Sequence, residues 1–336
     1  MIEPSYGSDQ HGLIWGYRFS PGRPAQVVTS EEAAKAMGNI NFEASDDFFW
    51  LHFSLANAAS ESWLRQHFSL PPAFFDTLQS GVSSTRLEQD EDFLVAVIQD
   101  VLFGSKFDAA AVGSTSLCIG PRLLLSARLR PLRSVDQLRG TVRAGYVFRS
   151  PVELLANLLR EQANVLAEIL RRSTTHVDEV EDKFLAHRSV TSRGELGALR
   201  RSLVRLQRLL APEPAALFRL LNRPLSWISE DDLQDLRGAA EEFSAAIHDT
   251  TAVVERVKLI QEELAALNNE QTGRTLFVLT IVTVLALPIN LIAGLFGMNV
   301  GGIPLTENGS GFFIIVGGLV LLTGILGYIA LGKRKD

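Results

Sequence analysis

The sequence contains a single cysteine, Cys118, among its 336 residues. One thiol cannot form an intramolecular disulfide, and there is no Cys-x-x-Cys pair to hold a metal ion. The first ten residues lack both a basic start and an apolar core, so no signal peptide is predicted. Basic residues do not predominate either, because the net charge is −6, which argues against a nucleic-acid-binding surface.

Catalytic signatures are also missing. The serine, histidine and aspartate residues form no recognisable motif, and neither a Gly-x-Ser-x-Gly elbow nor a phosphate-binding loop occurs. We therefore expect no enzymatic activity, no catalytic residues and no bound cofactor. His11, His52 and His67 share no common spacing, and a tetrahedral zinc site needs several converging ligands. They are interpreted as ordinary surface or half-buried histidines.

Charge is absent from two long stretches near the C-terminal end. No ionisable side chain lies between Arg274 and Glu307, and residues 309–332 form a second uncharged run. At about 1.5 Å per residue, a helix of about 25 residues extends for roughly 38 Å, enough to cross a hydrocarbon core of about 30 Å. We predict a transmembrane hairpin over 273–336, with spans at about 275–298 and 310–332.

The flanking charges orient this hairpin. Arg274 precedes the first span, and Lys333, Arg334 and Lys335 follow the second. Lysine and arginine near span ends favour the cytoplasmic side, so both termini are predicted to be cytoplasmic and residues 300–310 to lie outside. The chain is expected to be a two-span protein of the inner or plasma membrane, embedded in the lipid bilayer.

One face of the first span carries a stripe of polar and small residues. Its members recur at steps of four, three, four, three and four residues, the spacing of one helix face. They are Leu276, Thr280, Thr283, Leu287, Asn290 and Gly294. A primary amide at membrane depth, as in Asn290, must face a partner helix or water, so the stripe is predicted to line a pore. For Thr280 and Thr283 an alternative of equal weight is that they only pack against a neighbouring helix, with each hydroxyl bonded to a carbonyl of its own helix.

The first span ends in Gly297-Met298-Asn299, and a short loop, one more span and a basic tail follow. In this position the tripeptide resembles the signature of the CorA family of divalent metal ion transporters, and the resemblance extends over nearly the whole chain. The next residues, Val300-Gly301-Gly302-Ile303-Pro304, are similar to the ZntB branch, whose members carry zinc. The magnesium and cobalt branch usually has Met-Pro-Glu-Leu in this loop.

The resemblance implies a funnel-shaped homopentamer in which the first spans line a central pore. Asn299 at the outer mouth would hold the passing ion transiently, with Gly297, Met298 and the loop charge of Glu307 beside it. Zn²⁺ is then the transported ion, with or without proton coupling, and Mg²⁺, Co²⁺, Ni²⁺ and Cd²⁺ are other candidate cargoes. Two alternatives stay open: a Mg²⁺/Co²⁺ channel of the CorA type, and a membrane-anchored metal sensor or interaction protein.

Residues 1–150 are predicted to form a cytoplasmic α+β domain, a mixed sheet with flanking helices. Short apolar runs at 12–20 and 48–55 have the length and composition of strands, and residues 85–103, 115–119 and 122–129 are predicted to supply more strands. Residues 60–80 and 132–145 have helical spacing, and the first of these is broken by Pro71-Pro72.

Residues 151–272 are predicted to form a cytoplasmic helical stalk. Its first helix begins at Pro151 with Ser150 as its cap. That helix carries an acidic cluster, which basic residues of the next helix are in a position to pair with. The acids are Asp178, Glu179, Glu181 and Asp182, and the bases are Arg200, Arg201, Arg205 and Arg208. After interruptions at 211–214 and 222–224, one helix of more than sixty residues is predicted to run from Ser229 through the first span.

A polar line follows this long helix. Counting back in sevens from Asn290 gives Thr283 and Leu276 and then four polar stalk residues. These are Asn269, Glu262, Glu255 and His248. Coiled coils usually bury apolar residues at a repeated heptad position, so this line is interpreted as facing cations in a wet channel between identical subunits. The alternative is the exposed face of a stalk helix that packs by its other side.

Overall fold

The computed structural model describes residues 7–38, 46–79, 85–103, 112–185, 192–298, 303–304 and 309–332. The chain divides into two compact units, Met1–Ile260 and Gln261–Asp336. The predicted domain boundaries at residues 150 and 272 divide the chain into three parts rather than two, and they stay a prediction.

The first unit contains a seven-stranded sheet with the order β2-β1-β3-β7-β6-β5-β4. The strands are β1 (Leu13–Phe19), β2 (Gln26–Val27), β3 (Phe48–Ser54), β4 (Arg86–Asp90), β5 (Phe93–Val101), β6 (Val112–Gly120) and β7 (Leu123–Arg128). Among these described strands, the central β3–β7 pair is parallel and the other neighbours are antiparallel. The sheet is therefore mixed, as predicted.

The apolar run at 85–103 is two strands rather than one. Glu91 has a positive φ of 52°, and the chain reverses there, so that β4 pairs with β5 from Asp90 and Phe93 outward. A two-residue turn of this kind joins antiparallel neighbours directly.

Both faces of the sheet are covered by helices. The first set of helices comprises α1 (Ser30–Met37), α2 (Ala59–His67), α3 (Pro72–Gln79) and α4 (Arg133–Arg143). Along β3, Phe48 and Trp50 enter the core beneath α4, whereas Phe49, Leu51 and Phe53 enter the core beneath α1, α2 and α3. Alternate strand residues point to opposite faces. Because both faces are buried, β3 is apolar throughout rather than alternating.

Five further helices follow in the chain. They are α5 (Pro151–Leu185), α6 (Ser192–Leu210), α7 (Pro212–Asn222), α8 (Glu230–Phe296) and α9 (Gly311–Gly332). The predicted cap is present at α5, where Ser150 Oγ accepts the backbone N–H of Glu153 at 3.0 Å. Ser229 Oγ likewise accepts the N–H of Asp232 at the start of α8. The predicted long helix is confirmed at 67 residues.

The predicted interruption at 211–214 is present, because α6 ends at Leu210 and Ala211 forms a turn. Pro212 then begins α7, where a proline in the first turn has no N–H that needs a partner. One expectation about the helices is corrected. Asp178 and Glu181 of the acidic cluster on α5 pair with Arg256 of α8. Within the described residues, the four arginines predicted to pair with these acids have no carboxylate partner; they are Arg200, Arg201, Arg205 and Arg208.

Two carboxylates are buried where the helices meet β5. Glu213 Oε1 accepts the backbone N–H of Gln99 at 2.7 Å and the hydroxyl of Thr85 at 3.3 Å, and burial raises the pKa of Glu213 to about 8. Asp100 accepts both the N–H and the hydroxyl of Ser134, yet burial still raises its pKa to about 6. Each carboxyl group therefore retains its proton more strongly than an exposed acid would.

Cys118 lies on β6 in the core beneath α1, α2 and α3 and has no exposed surface. Burial raises the pKa of its thiol. The cysteine is therefore a small apolar residue of the sheet.

Candidate ion pathway along the long helix

The second unit contains the two apolar helical stretches. Windows in α8 and α9 have mean hydropathies of 2.5 and 2.1, and only 0 % and 6 % of their residues are buried. A core helix of a soluble protein is mostly buried, whereas exposed apolar helices of this length are suited to lipid. The first helix ends at Phe296 and the second begins at Gly311, close to the predicted limits.

All six residues of the predicted pore stripe are exposed in the protomer. Leu276 and Leu287 expose 57 % and 67 % of their surface. Five residues of the same span are half-buried, namely Ile281, Leu285, Ala286, Pro288 and Ile292, and all of them except Ala286 follow another line. At 3.6 residues per turn, this line is on roughly the opposite side of the helix.

That opposite side is the one turned toward α9. Ile292 lines an apolar cavity of about 480 Å³ together with Phe312, Ile315 and Leu319 of α9. The second span therefore covers the apolar side of α8 and leaves the polar stripe free for contact with other molecules.

The polar groups of the stripe differ in their hydrogen bonds. Thr280 Oγ1 donates to Leu276 O at 2.8 Å, and Thr283 Oγ1 donates to Leu279 O at 2.8 Å. Both hydroxyls are thus satisfied within their own helix, as the alternative interpretation allowed. Among the described residues, the amide of Asn290 has no hydrogen-bond partner. Asn290 is therefore the stripe residue that most requires water or another subunit.

The helix ends at the predicted outer mouth. Gly297 N–H donates to Ala293 O at 2.9 Å, and a Cβ added at Gly297 would lie 2.9 Å from that same oxygen. A side chain there would force the last turn to open, which explains the glycine. Met298 is exposed. Asn299 and Glu307 lie outside the described residues, so the ring of Asn299 side chains stays a prediction.

The four polar stalk residues of the predicted line are also exposed on α8; they are His248, Glu255, Glu262 and Asn269. The helix packs by residues such as Phe243, Val257 and Leu264, which are buried. Glu255 Oε2 lies 3.7 Å from the Lys258 ammonium. The described residues contain no group of three or more His, Cys, Asp or Glu that could hold a metal ion.

A second column, which sequence reasoning missed, stands beside the first. It repeats every seven residues and consists of Ala245, Ala252, Leu259, Ala266 and Gly273, all exposed. Together the two columns alternate steps of three and four residues and continue without a break into Leu276, Thr280 and Thr283. Alternation of three and four is the spacing of a coiled-coil seam. The missed signal was the small size of these residues, since heptad positions filled mainly by alanine and glycine allow helices to approach closely.

His11, His52 and His67 lie in the first unit and make contacts of their own there. His52 is fully buried, accepts Arg128 Nε–H at 2.6 Å and contacts Ser126 Oγ at 2.7 Å. Burial, with Arg128 and Arg139 nearby, holds the pKa of His52 well below its usual value. His11 and His67 each stack on the ring of Trp63. The full burial of His52 corrects the expectation of a surface or half-buried residue, and the spacing of the three histidines does not predict these contacts.

Comparison with known proteins supports a transport role. Residues 45–333 match the family described as CorA-like Mg2+ transporter protein. The zinc transport protein ZntB of Pectobacterium carotovorum is 23 % identical over 275 residues, which cover 82 % of this chain and 84 % of that protein. The divalent cation transporter CmaX of Pseudomonas aeruginosa is 26 % identical over 320 residues, 93 % of this chain and 94 % of that protein.

A solved structure shows the same fold. The structure of full-length CmaX superposes with a TM-score of 0.81 at 24 % identity and covers 96 % of this chain and 99 % of that one. The similarity includes the long helix and the two apolar helices, and therefore extends beyond the sheet.

Proposed function

The chain belongs to the family of CorA-like Mg2+ transporter proteins and is a divalent cation transporter of the membrane, and from this premise we propose that it carries Zn²⁺ through the central pore of a homopentamer. The observation that carries the proposal is the exposed line along α8, which includes Asn290 and lies opposite the face turned to α9.

Assembly follows from the number of helices. Two helices cannot enclose a water-filled pore, and a polar amide at membrane depth requires water or a partner. Identical copies arranged around an axis would supply both. The column of small residues from Ala245 to Gly273 supports close approach of neighbouring copies of α8, while Glu255 and Glu262 would face the axis. With Arg274 before the first span, both termini of every copy would lie in the cytoplasm.

The chemistry of the line favours a hydrated ion. Threonine, asparagine and backbone oxygens are neutral, and divalent cations lose water reluctantly. Zinc that has lost its water prefers nitrogen and sulfur ligands, yet the first span contains no histidine or cysteine. Asn299 would therefore hold the ion only transiently at the outer mouth, through its first water shell. The loop Val300-Gly301-Gly302-Ile303-Pro304 supports zinc as the cargo.

Flux into proteoliposomes tests this function. We expect Zn²⁺ uptake that Asn299→Ala abolishes or strongly reduces while the oligomer still forms. A pH gradient applied across the same vesicles would accelerate uptake if transport is coupled to protons. If Zn²⁺ uptake equals that of protein-free vesicles while Mg²⁺ enters, the zinc assignment is rejected. The assignment as a divalent cation transporter then still holds.

A Mg²⁺/Co²⁺ channel is the second candidate, and the absence of nitrogen and sulfur ligands along the first span favours it. Parallel measurements with Mg²⁺ and Co²⁺ separate the two, since each assignment predicts a different ion with the higher flux. A membrane-anchored sensor or interaction protein would carry no ion and would tolerate Asn290→Leu and Asn299→Ala without loss of function.

A further inference from the structure

Along one edge of its exposed surface, α8 adjoins α5. Glu242, Asp249 and Arg256 repeat every seven residues there, and the first and last of them contact α5. Arg160 Nε lies 3.8 Å from Glu242 Oε1, and Arg256 Nη2 lies 2.7 Å from Asp178 Oδ1. Asp249 lies between these contacts and is exposed, and within the described residues no basic group pairs with it. We call this surface around Asp249 the acidic edge.

The opposite edge of the exposed surface of α8 adjoins α6. Thr251 is about 200° around α8 from Asp249, and its hydroxyl accepts Gln207 Nε2 of α6 at 2.7 Å. Arg205 and Arg208, two residues and one residue from Gln207, are exposed. Neither arginine pairs with a carboxylate in the part of the chain that the structure describes. We call this surface of α6 the basic edge.

The two arginines lie on the outer face of α6. Leu203, Leu206 and Leu210 form its packed side and are buried. At about 100° per residue, Arg208 lies between about 140° and 200° around the helix from each of these leucines. Arg205, three residues earlier, is its neighbour on the helix surface. Both arginines are therefore accessible to another molecule.

Rotational symmetry brings the two edges together. In a ring of identical copies, each copy meets its two neighbours through two different surfaces. This step rests on the proposed homo-oligomer, in which the line through His248 and Glu255 faces the axis. His248 is about 100° around α8 from Asp249 and about 60° from Thr251, so the line runs between the two edges. The basic edge of one copy then faces the acidic edge of the next.

The opposite charges also lie at the same level. Rotation about an axis does not change a residue's height along it, so residues that meet across the ring have similar heights. Gln207 and Thr251 are in contact and share a level. At about 1.5 Å per residue, Arg208 is about 1.5 Å from Gln207 along α6 and Asp249 about 3 Å from Thr251 along α8. The height difference between Arg208 and Asp249 is therefore within the reach of an arginine side chain.

We propose that the basic edge of each copy docks on the acidic edge of a second copy of this chain, with Arg205 and Arg208 beside Asp249. Charge complementarity supports this partner, because the chain itself supplies both unpaired charges at one level. A single exposed ion pair is weak, but a ring repeats the contact at every interface. Complementary charges also determine which edges meet and in which register.

Dissociation of the full-length oligomer in detergent tests this surface. Analytical ultracentrifugation measures the fraction of single copies as the protein is diluted, in about 0.1 M and about 1 M salt. We expect Arg208→Asp and Asp249→Arg each to raise the concentration of half-dissociation about tenfold at the lower salt. At the higher salt the screening length falls to roughly 3 Å, so the difference from the parent should shrink.

The combined variant Arg208→Asp/Asp249→Arg distinguishes pairing from a general loss of structure. It restores opposite charges with their positions exchanged, so it should dissociate within about twofold of the parent. Arg201→Asp is the matched control, because this exposed arginine of α6 lies about 10 Å along the helix from Arg208. The proposal is overturned if the combined variant dissociates as readily as the single variants, or if Arg201→Asp dissociates as readily as Arg208→Asp.

The proposed function is judged separately, on the parent protein. If the parent assembles and transports ions while the charge variants dissociate like it, this surface is rejected and the pore is retained. If the parent stays a single copy, both the homo-oligomer and the surface are rejected. If Arg208→Asp loses binding to vesicles of anionic lipid with its dissociation unchanged, the arginines bind lipid headgroups and the second copy is rejected as their partner.

Discussion

The Nη2 atom of Arg256 on α8 lies 2.7 Å from Oδ1 of Asp178 on α5. The same guanidinium donates to Glu181 Oε2 at 2.7 Å, and its hydrogen bonds to the Glu181 and Asp178 carboxylates raise the pKa of Arg256. All three side chains are about half exposed, between 41 % and 51 %, so solvent screens their attraction. This ion triad connects the end of α5 to α8.

Arg256→Gln should lower the thermal unfolding midpoint slightly at low ionic strength, by the equivalent of at most about 1 kcal/mol. In about 1 M salt the difference from the parent should vanish, because the screening length falls to roughly 3 Å. Arg201→Gln, an exposed arginine of α6, serves as the control and should leave the midpoint unchanged. A deficit of the same size at both salt concentrations would show that Arg256 acts through packing.

Asn290→Leu should abolish or strongly reduce ion flux while the oligomer still assembles. The leucine removes the amide of the stripe, which has no partner among the described residues, and makes that level of the pore apolar. Flux into proteoliposomes and the size of the detergent-solubilised oligomer are measured together. Leu291→Ile, one residue away and off the stripe, is the control. Normal flux in an assembled Asn290→Leu variant would show that this face of α8 does not line the pore.

Glu255 and Glu262 should form two acidic rings about one heptad, roughly 10 Å, apart if the line faces the axis. Bound cations would then draw the copies of α8 together. The Glu255→Gln/Glu262→Gln variant should show less metal-dependent protection from proteolysis over residues 230–269, with assembly retained. Glu263→Gln, exposed but off the line, should respond to metal like the parent. An unaltered metal response in the double variant would place both carboxylates away from the axis.

Glu213 should make stability fall as pH rises. Its pKa is about 8 in the fold and about 4.5 in an unfolded chain. Between these values the folded protein holds a proton that the unfolded chain has lost, so stability declines from about pH 4.5 to 8 and is level above that. Asp100, with a pKa of about 6, adds a smaller decline of the same sign from about pH 3.8 to 6.

Glu213→Gln should flatten this dependence and raise the unfolding midpoint at pH 7, by the equivalent of a few kcal/mol at most. The amide oxygen still accepts from Gln99, and its NH₂ group supplies the donor that the protonated acid provided. Midpoints measured from pH 5 to 9 check this, with the exposed Glu241→Gln as control. A variant less stable than its parent at pH 7 would show that the ionised form is the native one.

The main helices and strands of the fold were predictable because local sequence patterns determine them. The 67 residues of α8 lack a breaker before Pro288, and β1 and β3 are apolar runs of strand length. The stripe could be found in the same way, since a helix fixes which residues share a face. Its exposure and its position opposite α9 needed the structure, because the sequence does not state which side of α8 packs.

The errors concern interactions between distant residues and weak local signals. The short strand β2 and helix α1 went unpredicted, although Thr29 and Glu32 form a capping box there. Nothing in the spacing of the acids on α5 distinguishes Arg256 from the arginines of α6, so the ion-pair partners had to come from the packing of three helices. Arg139 of α4 lies over the Trp15 ring of β1, although the two elements are more than a hundred residues apart, and no motif marks this contact.

The burial of Cys118 makes this protein convenient for chemical labelling. Thiolates react with maleimides, and a thiol that is both enclosed in the sheet and raised in pKa offers no thiolate at neutral pH. A cysteine introduced on the exposed line, by Glu262→Cys or Asn290→Cys, would be the only reactive thiol in each copy. Cross-linkers and spin labels could then report the spacing of neighbouring helices directly, without first removing a native cysteine.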